Sequence, residues 1–313
     1  MAARRIGLVP VPGPEVLAEP QLGVPARLLG AEMRKLRRDA GLTIAQVVLR
    51  GGATSESFLS RVENGKDNAR ITHELILDLA RFYGVSDPAY LQSLRRRVDA
   101  ALTGREQWWS GYSSDIVDDT LRDLLNFEGL ADSITTFESS YVPGLLQTSA
   151  YATAVMRVPY LHGPMDDKRV SQRLKVRRRR QQLLEDREDL EYSAIIDEAV
   201  LGRWVGGRAV MREQLRQLYN FAENRDRVHI RIFPARSWEF VNPMTTSMTL
   251  FKFSAGGAED MIYTEAANRG GGWMKNEEDL ALYRASLEGL MRNTLDKAGT
   301  LLRLEELIEQ LVA

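Results

Sequence analysis

The stretch LRRDAGLTIAQVVLRGGATSESFLSRVENGK, residues 36–66, decides the fold of the N-terminal region. Thr43 with Gln46 three residues later has the pattern of a capping box, in which each residue satisfies an amide at the start of a helix. A short helix from Ile44 to about Arg50 is therefore expected. Gly51-Gly52 marks a turn, because glycine takes positive φ at little cost. Thr54 or Ser55 then caps another short helix, with Leu59 and Val62 facing inward, and Asn64-Gly65 stops it.

The same signals repeat on either side. Upstream, Pro25 suits a first helical turn, and Leu28, Leu29, Met33, Leu36 and Ala40 recur at helical spacing until Gly41. Downstream, Thr72 opens a helix with Leu75, Leu79 and Phe82 as its buried face, closed by Gly84. Asp87-Pro88 opens a fifth. Residues 1–24 carry Pro10, Pro12 and Pro14 and read as a disordered tail, not a signal peptide.

The net charge of −1 over 313 residues hides an asymmetry. Residues 27–105 hold 14 lysines and arginines against 9 acids, a net +5 that leaves −6 for the rest. A positive head on a negative body suits a phosphate binder with a separate control domain. There is no cysteine, hence no disulfide and no thiolate metal site. This fits a cytoplasmic location. No apolar run is long enough to cross a membrane as a helix.

Short helix, glycine turn, short helix is the geometry that presents one helix to the major groove of DNA. The exposed face of the third helix is expected to hold Glu56, Ser57, Ser60 and Arg61. Arginine matches guanine O6 and N7, and a carboxylate accepts from cytosine N4. An ordinary solvated face has the same composition. The five-helix setting is what favours base reading.

Residues 36–66 look like the Xre-type helix-turn-helix of phage-repressor-like regulators, most closely through FLSRVENG, residues 58–65. That resemblance implies base reading by Glu56, Ser57 and Arg61, and a structural ion pair between Arg37 and Glu63. It places Ile44 and Gln46 near the DNA backbone, although capping is an equal role for Gln46. Ser55, Ser60, Asn64, Lys66 and Arg70 complete the expected backbone set. Two departures stand out: the turn is one residue longer than usual, and Val48 occupies the usual alanine position.

From residue 107 the texture changes. Trp108-Trp109 reads as a packing anchor at a domain junction. Residues 121–137 read as one helix, and 166–188 as a solvated, salt-bridged helix containing Arg177 through Arg180. Strands are expected at 190–197, 228–234, 247–253 and 260–265, with helices at 208–223 and 277–311. Residues 268–273 (NRGGGW) read as a flexible loop. The fold class is thus mainly α with α+β: a helix-turn-helix domain at 25–104, then a regulatory, partner-binding and dimerisation domain at 105–313 with a small sheet.

YVPGLLQTSAYA (141–152), DEAVLGRWVGGRAVMREQLRQL (197–218) and VHIRIFP (228–234) resemble the C-terminal domain of actinobacterial WhiJ-type regulators described as antitoxin-like. The resemblance implies a regulator working with a small acidic partner protein encoded nearby. Catalytic motifs are lacking, the three histidines have no metal spacing, and neither enzyme activity nor a cofactor is expected. Asp197-Glu198 reads as helix capping. Trp238, Phe240, Tyr263 and Trp273 are candidates to line a ligand pocket, with core packing as the default.

The leading expectation is a homodimer on an inverted-repeat operator in double-stranded DNA, with the body sensing a ligand or partner. The rival is an antitoxin-like interaction module that neutralises a small partner, with DNA binding secondary.

Overall fold

The computed structural model describes residues 24–66, 71–102, 108–158, 166–235, 246–253, 260–265, 272–274 and 277–311. The expected tail lies outside them except for Val24, and Arg70, His162, Trp238 and Phe240 lie outside as well.

Helix α1 (Val24–Asp39) leads into α2 (Ile44–Leu49), α3 (Glu56–Glu63), α4 (His73–Phe82) and α5 (Pro88–Leu102). Thr43 and Gln46 form the capping box, Ser55 caps α3 by accepting from the Phe58 amide, and Thr72 caps α4. Leu29, Met33, Val47, Leu59, Val62, Ile76, Leu79, Leu94 and Val98 fill the core of this head. Two expectations shift by part of a turn. Ala40 lies beyond α1 and is exposed. Phe82 is also exposed; Ile76, Leu77, Leu79 and Ala80 form the buried face of α4, and Tyr83 packs behind Phe82 edge-on.

The two glycines of the long turn differ in role. Gly51 has φ +79°, a backbone only glycine takes cheaply. Gly52 is needed for space: a Cβ there would stand 2.9 Å from Cγ1 of Val47 and 3.0 Å from the Phe82 ring. Val47, rather than Val48, is the fully buried residue of α2.

The body begins with α6 (Asp119–Leu130) and β1 (Ser133–Glu138), so residues 121–137 are not one helix. Ala131 turns to extended backbone (φ −65°, ψ 145°), and the β-branched run Ile134-Thr135-Thr136 continues as a strand. The apolar spacing of Leu130, Ile134 and Phe137 mimics a helix. In the strand, however, Ile134 and Phe137 enter different cores on opposite faces of the sheet.

Next come α7 (Ser149–Met156), α8 (Asp167–Gln181), α9 (Leu183–Asp186), β2 (Glu191–Asp197), α10 (Glu198–Leu201), α11 (Arg208–Asn224), β3 (Val228–Phe233), β4 (Met248–Lys252), β5 (Met261–Thr264), β6 (Gly272–Met274), α12 (Glu277–Arg292) and α13 (Lys297–Gln310). The strands form one mixed sheet in the order β3-β2-β1-β4-β5-β6. β1, β2 and β3 run parallel, whereas β4, β5 and β6 are added antiparallel. Part of the expected glycine loop is therefore strand β6, paired with β5 through Tyr263 and Trp273. Helices cover both faces. Leu215 and Leu218 of α11 and Leu304 of α13 pack on one, and Leu280, Leu287 and Leu290 of α12 on the other.

The arginine run of α8 is only half solvated. Arg178 and Arg179 are exposed, but Arg180 makes a two-pronged pair with Glu128, 2.7 Å from Nε to Oε2, and Arg177 donates to Oε1 of Gln147 at 2.7 Å. A helical turn separates residues 177 and 180, which puts them on one inward face.

Candidate nucleic-acid interface

Helix α3 is two-sided. Phe58, Leu59, Val62 and Glu63 are buried, whereas Glu56 and Ser57 are exposed and Ser60 and Arg61 half-exposed. The i, i+3, i+4 spacing of the apolar residues produces this division, and it leaves the polar set on one outward strip. Nη1 of Arg61 donates to Oγ of Ser57 at 2.9 Å, so the guanidinium is laid along the strip. Glu56 also sits in the first helical turn, where the helix dipole favours an acid.

The strip is held from behind. Arg37 of α1 donates from Nε to Oε1 of Glu63 at 2.6 Å and from Nη2 to Oε2 at 2.8 Å. Its Nη1 donates to the Leu42 carbonyl at 2.7 Å, tying in the loop before α2. The hydrogen bonds to Glu63 hold the charge on Arg37 and raise its pKa. Arg34, one turn earlier, donates to the Glu63 carbonyl at 2.8 Å and to Oδ1 of Asn64 at 2.6 Å. Gly65 has φ +66°, and the Lys66 amide returns to the Arg61 carbonyl, closing the helix.

α1 and α3 approach closely because residue 30 is glycine. A Cβ there would lie 2.6 Å from the Val62 carbonyl oxygen and 2.8 Å from that of Glu63. Gly30 and Arg34 are contributions the sequence reading missed. A glycine inside a strong helical pattern was the available signal for the first. Arg34 lies one turn before Arg37 on the same face, which signals the second.

The expected backbone contacts divide. Lys66 is exposed. The Ser55 hydroxyl accepts from the Phe58 amide, and Oε1 of Gln46 accepts from the Thr43 amide at 2.9 Å; both are capping roles. Asn64 is engaged by Arg34 and by the Ser60 carbonyl. Ile44 is half-buried at the first turn of α2. On α5, Arg96 pairs with Asp189, and the buried Arg97 joins Glu32 and Asp132.

A family model described as a helix-turn-helix domain matches residues 28–94, which contain α1 through α4 and the start of α5. A second, described as a domain of unknown function (DUF5753), matches residues 121–306, more than half of the chain. The chain belongs to that family. No curated protein and no solved structure matches it. The helix-turn-helix match supports a DNA-binding regulator with DNA as partner.

The DUF5753 body places the remaining candidates. Tyr263 and Trp273 lie in an aromatic cluster with Phe127 and Phe251, the Phe127–Trp273 centroids being 4.3 Å apart. Asp197 caps α10 by accepting from the Ala199 amide, while Glu198 pairs with Arg303. His229 lies exposed on edge strand β3, 3.1 Å from Glu191. Among the described residues, no helix is long and apolar enough to cross a membrane.

Proposed function

We propose that this chain is a sequence-specific transcriptional regulator of the Xre type, acting by binding and not by catalysis. α3 lies in the major groove and reads bases with Glu56, Ser57 and Arg61, while Lys66 approaches the phosphates. Two chains bind an inverted repeat as a homodimer, with half-sites about one helical turn apart. The DUF5753 body makes the dimer contact and senses a ligand or small partner, as in WhiJ-type regulators.

The observation that supports this reading is the exposed strip of α3 fixed by the buried Arg37–Glu63 pair. A solvated helix needs no such support, whereas a base-reading helix must be held in register. Selection of binders from a random duplex pool by the full chain tests it. An inverted repeat is expected. Failure to enrich any motif, at low as well as physiological salt, would overturn base reading.

A further inference from the structure

A cavity of about 320 Å³ lies where head meets body. Pro25 of α1 and Ala100 of α5 form its head side. Trp108, Trp109, Asn126 and Leu183 line the rest. Its volume falls within the range of small-molecule sites, which are mostly apolar with a few placed polar groups. The two indoles are half-buried and meet edge to face, with centroids 5.2 Å apart.

The amide oxygen of Asn126 is buried and accepts no hydrogen bond within the described residues. A buried acceptor left unpaired is costly, so its persistence at a cavity wall calls for a donor from outside the chain. The charges at the wall balance, because Arg179 and Arg180 are matched in number by Glu128 and Asp186. Arg180 is bound to Glu128, and Arg179 donates to Gln182. A neutral occupant is therefore favoured over an anion.

We infer that this cavity is an effector site for a neutral, planar, largely apolar small molecule that carries one hydrogen-bond donor. The donor meets Asn126, and the ring system lies against Trp108 and Trp109. This inference rests on the DNA-reading function proposed above and deepens it. The occupant touches head and body at once, and so it binds the docked arrangement better than an undocked one. α1 and α5 carry that arrangement to α3, through Arg34 and Arg37 on α1. By linkage, DNA and the occupant then change each other's affinity by the same factor.

N-phenyl-1-naphthylamine is a suitable probe, being neutral, aromatic, fluorescent when desolvated and equipped with one N–H. Titrated into the full chain, it is expected to give a saturable rise at one probe per chain. Ala100→Phe fills the cavity from the head side, and Asn126→Leu removes the acceptor without adding bulk from α5. Each is expected to weaken binding at least tenfold while retaining the wild-type cooperative melt. Saturating probe is expected to change affinity for the selected operator at least fivefold in the wild type, and not in Ala100→Phe. No saturable signal, or equal binding by folded wild type and both variants, overturns the site. Probe binding with unchanged operator affinity overturns its effector role. A chain that binds no duplex even without probe overturns the DNA-reading function instead, and the fluorescence titration still decides the cavity.

Discussion

Arg37 and Glu63 meet through two parallel hydrogen bonds of 2.6 and 2.8 Å, and both side chains are almost wholly buried. The pair joins α1, which anchors the head, to α3, the helix proposed to read bases. Removing one partner leaves an uncompensated buried charge, which costs about 3–5 kcal/mol. Glu63→Gln and Arg37→Met are each expected to lower the stability of the head by that order in urea unfolding. The double variant Arg37→Met/Glu63→Leu is expected to recover much of the loss. Equal melts for wild type and single variants would show the pair to be dispensable.

Arg61 lies on the outward strip of α3, where its guanidinium donates to Ser57 of the same helix. Arg61→Ala is expected to weaken binding to the selected operator by about 1–3 kcal/mol. Binding to unrelated duplex is expected to persist with the same salt slope, because a base contact releases no phosphate counterion. Lys66→Ala is expected to do the reverse, weakening all sequences alike and flattening the slope. Filter binding across a salt series separates the two.

Gly30 and Gly129 offer a paired test of close approach. Both are helical, but a Cβ at 30 collides with carbonyl oxygens of α3, and one at 129 meets nothing within 4 Å. Gly30→Ala is expected to destabilise by about 1–3 kcal/mol through overpacking. Gly129→Ala is expected to stabilise by up to about 1 kcal/mol through helix propensity alone. Thermal melts that move in the same direction would contradict this account.

Glu32 is buried beneath Tyr90 and Arg97, and Arg97 in turn reaches Asp132 of the body at 2.7 Å. Burial outweighs the attraction of Arg97 and raises the Glu32 carboxyl from 4.5 to about 7. The native state thus holds a proton that the unfolded chain has released. This contribution is fully present below pH 4.5 and is lost as pH rises towards 7, for roughly 3 kcal/mol in all. Glu32→Gln is expected to flatten stability against pH over that window. A wild-type curve with no downward component there, relative to Glu32→Gln, would refute the assignment. Asp189 works the other way: hydrogen bonds from Arg187 and Arg96 hold its carboxyl well below the usual range, so that contact survives mild acid.

Local rules made the head legible. Thr43, Gln46, Ser55 and Thr72 act within a few residues, so their caps could be read directly. The apolar spacing gave the α3 face and the inward positions of Leu59 and Val62. What stayed hidden depends on partners distant in sequence. Arg96 and Arg97 find their partners in Asp189 and Asp132, which nothing nearby in the sequence announces. β1 read as helix because Ile134 and Phe137 keep helical spacing while serving two cores. Arg177 and Arg180 read as solvated because Gln147 and Glu128 come from other helices and loops. The family resemblance supplied the Arg37–Glu63 pair; spacing alone would not have.

The central strand has a consequence for synthesis. β1 pairs with β2 at Ser133 and Glu191, and with β4 at Ser133 and Lys252, so neither neighbour exists when β1 leaves the ribosome. Contacts distant in sequence form slowly, whereas the short-range helices of the head form fast. Leu304, Leu307 and Leu311 belong to the same core as Ile134 and Phe251 and arrive later still. A nascent chain therefore completes α3 well before the body that the head docks against. A message cut short ahead of Leu304 would leave a finished head on a body whose core lacks its outermost layer.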